Sequence, residues 1–306
     1  MNINQNKFIP ERDYSSDKSL FTMSREFLIS RGYCCHSSCR NCPYKRPLKN
    51  GPRIISLVPS LTELFIAAGA NIVGRTRCCV HPKELVKDIV KVGGTKDLNS
   101  ALIAELNADY VIMDKEENTK EMAEKCPSPI ISTHICSLND LKNNLNMLSE
   151  KLGLTELLQY SDRIEKILAF SKFQRELKAV PGIIKWWKGP VAKTQKDLCI
   201  VYIIWCKPFI CVTKDTFIGD VFSTLGFAEQ LWAPEGRGLY PKFELSELPE
   251  NALLLFSSEP YPFAKWQKEF LKQNITQAAA LINGESYSWF GLRSLRFIED
   301  QFFSEI

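Results

Sequence analysis

The sequence predicts an α/β protein with two Rossmann-like lobes joined by a long helical backbone and preceded by a small Cys-rich module. Three observations predict this class. Strand-length apolar runs alternate with helix-length periodic runs in two separate parts of the chain. Leucines at helical spacing lie between these parts, and four cysteines occur within nine residues near the start. The predicted module, first lobe, helical spine and second lobe span residues 1–50, 51–137, 138–180 and 181–306.

The first lobe opens with a strand, a turn and a helix. The apolar run 54–58 predicts a strand that Pro59 ends, and Ser60 with Glu63 has the spacing of a reciprocal helix cap. Gly69 closes the predicted helix. A helix N-terminus at the carboxyl end of a strand can direct backbone N–H groups at a polar or anionic ligand. Ser60 is therefore a candidate ligand contact.

The middle of the chain predicts two consecutive helices. Their leucines and isoleucines recur at helical spacing from 141 to 152 and from 157 to 177, with Gly153 breaking the first helix. Together they span about 40 residues, or up to ~60 Å if extended, which suits a rigid connector. A coiled-coil partner helix is the alternative, but the charged residues lack a sustained heptad order.

The second lobe resumes the alternation of strands and helices. Apolar runs predict strands at 198–204, 209–212, 253–256 and 278–282, and residues 217–225 predict a helix closed by Gly226. Polar and aromatic loops follow several of these strands. We expect the loops to face a ligand cleft between the two lobes.

Composition limits the function classes. The net charge of +4 arises in the first fifty residues, so no general nucleic-acid surface is predicted. The first thirty residues lack the apolar core of an export signal, and no apolar run approaches the ~20 residues that span a bilayer. These features predict a cytoplasmic protein without membrane insertion.

The N-terminal cysteines predict a metal knuckle. Cys34, Cys35, Cys39 and Cys42 lie close together with His36 among them, a density that can bring thiolates together on zinc or an iron–sulfur centre. Two alternatives remain open. The thiols can be reduced cysteines packed under a loop, or the spacing of the last three can belong to a radical enzyme's cluster, although Asn41 replaces the usual aromatic residue.

A second chemical cluster follows the first helix. Cys79 and His81 alternate along an extended segment, so both side chains can face one side and offer a sulfur and an imidazole to a metal centre. The alternative is a buried thiol beside a histidine that caps a backbone carbonyl. His134 and Cys136 have the same spacing after a later strand, where a structural role is favoured.

Several motifs between residues 52 and 303 occur in an order that is similar to that of a known protein family. Their segments are 53–69, 73–82, 92–99, 106–113, 114–118, 204–209, 215–218, 257–263 and 284–293. This order resembles the class III solute-binding proteins, helical-backbone metal receptors whose members bind cobalamin, haem or ferric siderophores. It is most similar to a non-exported branch, with Ala108 in place of the usual proline. Separately, residues 22–47 resemble a small Cys-rich family with the core C-C-x3-C-x2-C-P-Y.

The resemblance implies a ligand between the lobes, held by flat aromatic side chains and a few polar groups. Trp289 and Arg293 are four residues apart at the start of the predicted last helix, so we expect them to share one face. For the aromatic residues core packing is the alternative, and for the acidic residues simple solvation. The candidate contacts besides Ser60, Cys79 and His81 are Glu116, Glu117, Trp205, Phe217, Glu259, Tyr261, Trp289 and Arg293.

Two functions follow from these patterns. The first is a cytoplasmic binding or sensing protein for a corrinoid or another small-molecule metal chelate, with no transporter partner expected. The second is a metal- or thiol-dependent enzyme that acts on a modified cofactor. No nucleophile elbow, phosphate-binding loop or zinc-protease motif occurs, and only three histidines are present, so binding is favoured.

Overall fold

The computed structural model describes residues 8–17, 20–44, 50–171, 177, 179–189, 198–265, 267–272 and 275–303. The chain forms two compact units. The first comprises residues 1–135, 142–163 and 302–306, and the second comprises 136–141 and 164–301. The Cys-rich segment, which the sequence predicts as a separate module, belongs to the first unit.

The N-terminal segment forms a hairpin and a short helix. Strands β1 (Tyr14–Asp17) and β2 (Leu20–Met23) pair antiparallel, and α1 (Arg25–Ser30) follows. The Ser24 hydroxyl accepts a hydrogen bond from the Phe27 amide and caps α1.

A five-stranded parallel sheet forms the centre of the first unit, with the strand order β5-β4-β3-β6-β7. Its core is apolar, with Ile55 and Val111 fully buried. The strands are β3 (Asn50–Ser56), β4 (Ala70–Arg75), β5 (Val90–Lys91), β6 (Tyr110–Asp114) and β7 (Ile130–Thr133). The helices between them are α2 (Pro59–Ala68), α3 (Lys83–Val86), α4 (Ser100–Glu105) and α5 (Lys120–Lys125).

Two helices follow this sheet in the chain, α6 (Leu138–Leu152) and α7 (Leu158–Ser171). As predicted, α6 ends before Gly153, whose φ of 65° lies in the left-handed region that glycine adopts readily. No helix among the described residues is long and apolar enough to cross a membrane.

The second unit contains a mixed six-stranded sheet with the order β11-β10-β9-β12-β13-β8. The three strands β9, β12 and β13 are parallel, and the outer strands run antiparallel to their neighbours. The strands are β8 (Ile183–Lys188), β9 (Cys199–Trp205), β10 (Phe209–Cys211), β11 (Lys242–Phe243), β12 (Ala252–Ser257) and β13 (Ala278–Ile282). The helices are α8 (Phe217–Thr224), α9 (Gln267–Lys272), α10 (Gly284–Ser288) and α11 (Leu292–Phe303). The predicted class of two α/β units with intervening helices is confirmed.

Candidate functional site

The chain order around β3 places a topological switch point at the carboxyl edge of the first sheet. From β3 the chain moves outward through β4 and β5, then returns to β6 on the other side of β3. The loops that follow β3 and β6 therefore diverge, and ligands of open α/β sheets bind at such points. The first turn of α2, with Ser60, and the loop with Glu116 and Glu117 lie at this edge.

Ser60 is not the cap of α2, so that prediction is wrong. The helix begins at Pro59, with Val58 as its N-cap and no capping side chain. Proline suits the first helical position because its missing N–H would have no partner there. Ser60 is instead inside the first turn, 4% exposed. Its hydroxyl oxygen is buried and has no hydrogen-bond partner, so it remains a candidate polar contact.

Cys79 is part of the core and does not face a ligand surface in this structure. The residue is fully buried, and its sulfur lies 3.1 Å from the hydroxyl oxygens of Thr62 and Thr76. Burial raises the pKa of the Cys79 thiol, and the threonine hydroxyls oppose that rise only in part. Cys79 is therefore a buried, neutral thiol, which is the structural alternative to a metal ligand. His81 is half-buried, and its role as a ligand contact stays a prediction.

The loop after β6 is acidic, and its backbone is hydrogen-bonded to the buried Asp114 carboxylate. Asp114 accepts hydrogen bonds from the Glu116 amide at 2.9 Å and the Thr133 hydroxyl at 2.7 Å. Glu116 in turn lies 3.3 Å from the His134 imidazole. Burial raises the pKa of Glu117, the nearby Asp114 and Glu116 add to the rise, and Lys96 opposes it. Carboxylate and imidazole groups thus meet at the carboxyl ends of β6 and β7.

An aromatic pair marks the carboxyl edge of the second sheet. Trp205 ends β9 and Tyr261 lies in the loop after β12, its parallel neighbour. Their rings meet edge to face, with centroids 5.0 Å apart, and Trp205 is 43% exposed. Tyr261 packs in turn against the buried Phe263. The structure brings together two predicted contact residues and leaves much of the indole accessible.

The loop that carries Glu259 packs closely against the start of α10. A Cβ atom placed on Gly284 would lie 2.3 Å from the Ser257 hydroxyl oxygen and 2.9 Å from Glu259 Cγ. The Gly284 amide donates to the Ser258 hydroxyl, and the Ser288 hydroxyl donates to Glu259 at 3.5 Å. Glycine is therefore required for this close approach, which positions Glu259 beside α10.

Three other predicted contacts lie deeper than expected. Phe217 is buried against Phe290, and Trp289 is only 9% exposed. Trp289 and Arg293 do not share one helix, because α10 ends before Trp289 and α11 begins after Gly291, whose φ is 119°. They nonetheless meet, with the guanidinium 5.7 Å from the indole centroid. Arg293 also donates to Glu285 at 2.6 Å, so that carboxylate holds its charge in place.

The four N-terminal cysteines form two thiol pairs. The sulfurs of Cys35 and Cys39 are 3.9 Å apart, and those of Cys34 and Cys42 are 3.7 Å apart. None of the four cysteines is in a disulfide, and Cys42 is buried. A hydrogen bond from Ser37, together with Cys39 and Arg31, lowers the pKa of Cys35 to about 6 although burial opposes this. These residues favour the thiolate form that binds metals.

Two arginines that sequence reasoning missed lie beside the cysteine pairs. Burial lowers the pKa of Arg31, but interactions with the Cys35 and Cys39 thiols outweigh it and raise that pKa overall. Its Nη2 nitrogen is buried without a hydrogen-bond partner. Arg25 interacts electrostatically with Cys42 and donates from Nε to the Ile66 carbonyl at the end of α2. Cationic groups thus flank both thiol pairs.

Comparisons with known proteins describe the two parts of the chain separately. Residues 3–47 match a family of unknown function, DUF5522. No curated protein matches the chain.

Solved structures similar to this chain are two-lobed binding proteins. The periplasmic vitamin B12-binding protein BtuF of Vibrio cholerae has 18% identity and a TM-score of 0.57, over 82% of this chain and 94% of that chain. The periplasmic heme-binding protein RhuT from Roseiflexus sp. RS-1 has 16% identity and a TM-score of 0.60, over 82% and 97%. IsdE of S. aureus, solved with heme, has 14% identity and a TM-score of 0.57, over 83% and 100%. This chain therefore has the fold of the class III solute-binding proteins, preceded by an N-terminal Cys-rich segment that matches the DUF5522 family.

Proposed function

We propose that this protein binds a corrinoid or another metal-containing tetrapyrrole, without chemically changing it, and that it works in the cytoplasm. The pair of the exposed Trp205 and the partly buried Tyr261 carries the proposal. The pair lies at the carboxyl ends of two adjacent parallel strands, where α/β sheets bind ligands. A tetrapyrrole is a flat ring with a polar rim, so an exposed indole supplies contact area that matches it.

Polar groups of the first unit suit the rim or the metal of such a ligand. Glu116 and His134 offer a carboxylate and an imidazole 3.3 Å apart at the sheet edge. Ser60 offers a hydroxyl in the first turn of α2, where the helix dipole favours negative charge. The fold adds support, since the similar structures include proteins named for binding vitamin B12 and heme.

We propose further that the N-terminal cysteines hold a metal, as zinc or an iron–sulfur centre. The thiol pairs, the flanking arginines and the buried, unpartnered Arg31 nitrogen suit a negatively charged thiolate site. A bound metal would supply structural stability or electrons, and the cysteines and arginines would orient it. The eleven cysteines all lie among the described residues and form no disulfide there, which is the usual state of cysteines in a reducing cytoplasm. In that location we propose no transporter partner.

Titration with hemin and with cobalamin tests the chelate proposal. Trp205→Ala should weaken binding by about 1 to 3 kcal/mol, or roughly 5- to 150-fold. Trp186→Ala is the matched control, because Trp186 is 41% exposed in the same unit but lies on the antiparallel edge strand β8. Equal loss in both variants, or no binding of either chelate by the wild type, would contradict the proposal.

The recovered ligand separates binding from catalysis. After incubation with a reductant, mass spectrometry should find the bound chelate unchanged. A modified chelate whose formation requires the cysteine pairs would favour the enzyme instead.

A further inference from the structure

The arrangement of the cysteine sulfurs distinguishes two kinds of metal centre. Two thiolates on one tetrahedral metal lie roughly 3.8 Å apart, because each metal–sulfur bond is about 2.3 Å. The Cys35–Cys39 and Cys34–Cys42 distances of 3.9 and 3.7 Å match this value. A single metal would require all four sulfurs to share it. Among the described residues, however, no three cysteine sulfurs lie within 4.8 Å of one another.

We propose that the N-terminal cysteines bind a [2Fe–2S] cluster, with Cys35 and Cys39 on one iron and Cys34 and Cys42 on the other. This inference rests on the proposed metal-binding function of the segment and specifies its cofactor. Four cysteine thiolates are the ordinary ligand set of such a cluster, two for each iron. Its assembly takes up two ferric ions and two sulfides, and the four thiols release their protons.

The backbone between the cysteines supports this pairing. Cys34 and Cys35 are consecutive, so their side chains can diverge toward different irons. His36 and Ser38 adopt left-handed conformations, with φ of 62° and 51°, which return the chain so that Cys39 reaches Cys35. The His36 amide donates to the Cys34 sulfur at 3.4 Å, and its side chain is exposed. The histidine therefore contributes a backbone hydrogen bond to sulfur and is no iron ligand.

The two arginines match the charge of the cluster. An oxidised [2Fe–2S] centre with four thiolates is a dianion, and reduction by one electron adds further negative charge. Arg31 lies beside the Cys35–Cys39 pair, and Arg25 beside Cys42. Hydrogen bonds and nearby charge set the reduction potential of such clusters. Arg31 and Arg25 are therefore positioning residues that favour both assembly and reduction.

Anaerobic reconstitution of the full chain with ferric iron, sulfide and a thiol reductant tests the inference. We expect two irons and two acid-labile sulfides per chain, and a paramagnetic resonance signal after one-electron reduction by dithionite. Mössbauer spectra of protein loaded with isotopically enriched iron should show that Cys35→Ser and Cys39→Ser alter one iron. Cys34→Ser and Cys42→Ser should alter the other.

The wild-type protein alone decides the nature of the centre, even if a serine variant fails to fold. One zinc or iron per chain without sulfide would overturn the cluster but leave the proposed metal-binding function intact. A wild-type chain that retains no metal would overturn both. Serine variants that perturb the irons in a different pairing would overturn the ligand assignment.

A second comparison tests the role of Arg31. Arg31→Gln should shift the reduction potential to more negative values and speed loss of iron to a chelator by about 10-fold, whereas Arg31→Lys should restore much of both. The control is Arg40→Gln, because the Arg40 side chain is exposed and screened by water although it adjoins Cys39. Equal potentials in Arg31→Gln, Arg40→Gln and the wild type would overturn this role.

Discussion

A buried ion pair ties the N-terminal segment to the rest of the first unit. Glu26 of α1 accepts hydrogen bonds from both terminal nitrogens of Arg163 in α7, and the two side chains are only 6% and 13% exposed. The Arg163 guanidinium also lies 5.4 Å from the Tyr160 ring centroid. If this contact is part of the core, breaking it must destabilise the whole unit.

Glu26→Gln keeps the shape of the side chain and removes its charge. The substitution removes the negative charge that Glu26 presents to the buried Arg163 cation, and breaking one partner of a buried pair costs about 3 to 5 kcal/mol. We expect a loss near 3 kcal/mol, because the glutamine oxygen can still accept one hydrogen bond. Replacing both residues, as Glu26→Leu with Arg163→Met, should recover most of that loss since no buried charge remains.

Hydrogen exchange of β3 and α2, measured by mass spectrometry, is the appropriate assay. All six tryptophans lie after residue 185, in the second unit, so tryptophan fluorescence does not report on the first. Glu121→Gln is the matched control. It breaks an exposed ion pair to Lys125, which water screens, so it should change stability little. A Glu26→Gln effect as small as that of Glu121→Gln would refute the reasoning.

Three further predictions concern single residues. Alkylation followed by peptide mass spectrometry should label the exposed Cys78 and spare Cys79, because burial shields Cys79 and raises its pKa; equal rates would contradict this. Because burial raises the pKa of Glu117, the folded state holds that proton more tightly than the unfolded state, and stability falls as pH rises above 4.5. Thermal melts should therefore show Glu117→Gln more stable than the wild type at pH 7 and without that pH dependence, and identical melts would refute it. Gly219→Ala should cost roughly 2 kcal/mol in urea unfolding, since its Cβ would lie 2.4 Å from the Thr213 carbonyl oxygen, whereas Gly189→Ala, with open space, should cost little.

The order of strands and helices could be predicted because each element is locally specified. The run at 198–204 was expected as a strand, and β9 spans 199–205. Gly69 and Gly226 adopt positive φ values of 82° and 87° where helices α2 and α8 end, as their positions after apolar periodic runs indicated. The sequence predicts a capping role for Ser60 because Ser60 and Glu63 have the spacing of a helix cap. The same spacing is present when the helix begins at Pro59, so the pattern alone does not specify where α2 starts.

The depth of each candidate contact could not be predicted, because burial depends on which elements pack over a residue. Trp205 and Trp289 are both predicted ligand contacts, yet the first is 43% exposed and the second 9%. Trp289 lies between α10 and α11, where its ring is beside the Arg293 guanidinium, whereas Trp205 is at the end of a strand. Likewise, consecutive cysteines differ: Cys78 is exposed, while Cys79 packs among threonine hydroxyls.

The surroundings of the N-terminal cysteines could not be predicted from the sequence either. The cysteine spacing indicates metal chemistry, but spacing alone does not specify how many metals the sulfurs share or which charges surround them. The pairing follows from the distances between the sulfurs, and the surrounding charges come from Arg25 and Arg31, which lie on or just after α1 and have no signature in the sequence. Arg25 also bonds the end of α2, so the same short helix both flanks the cysteines and packs against the first sheet's leading helix.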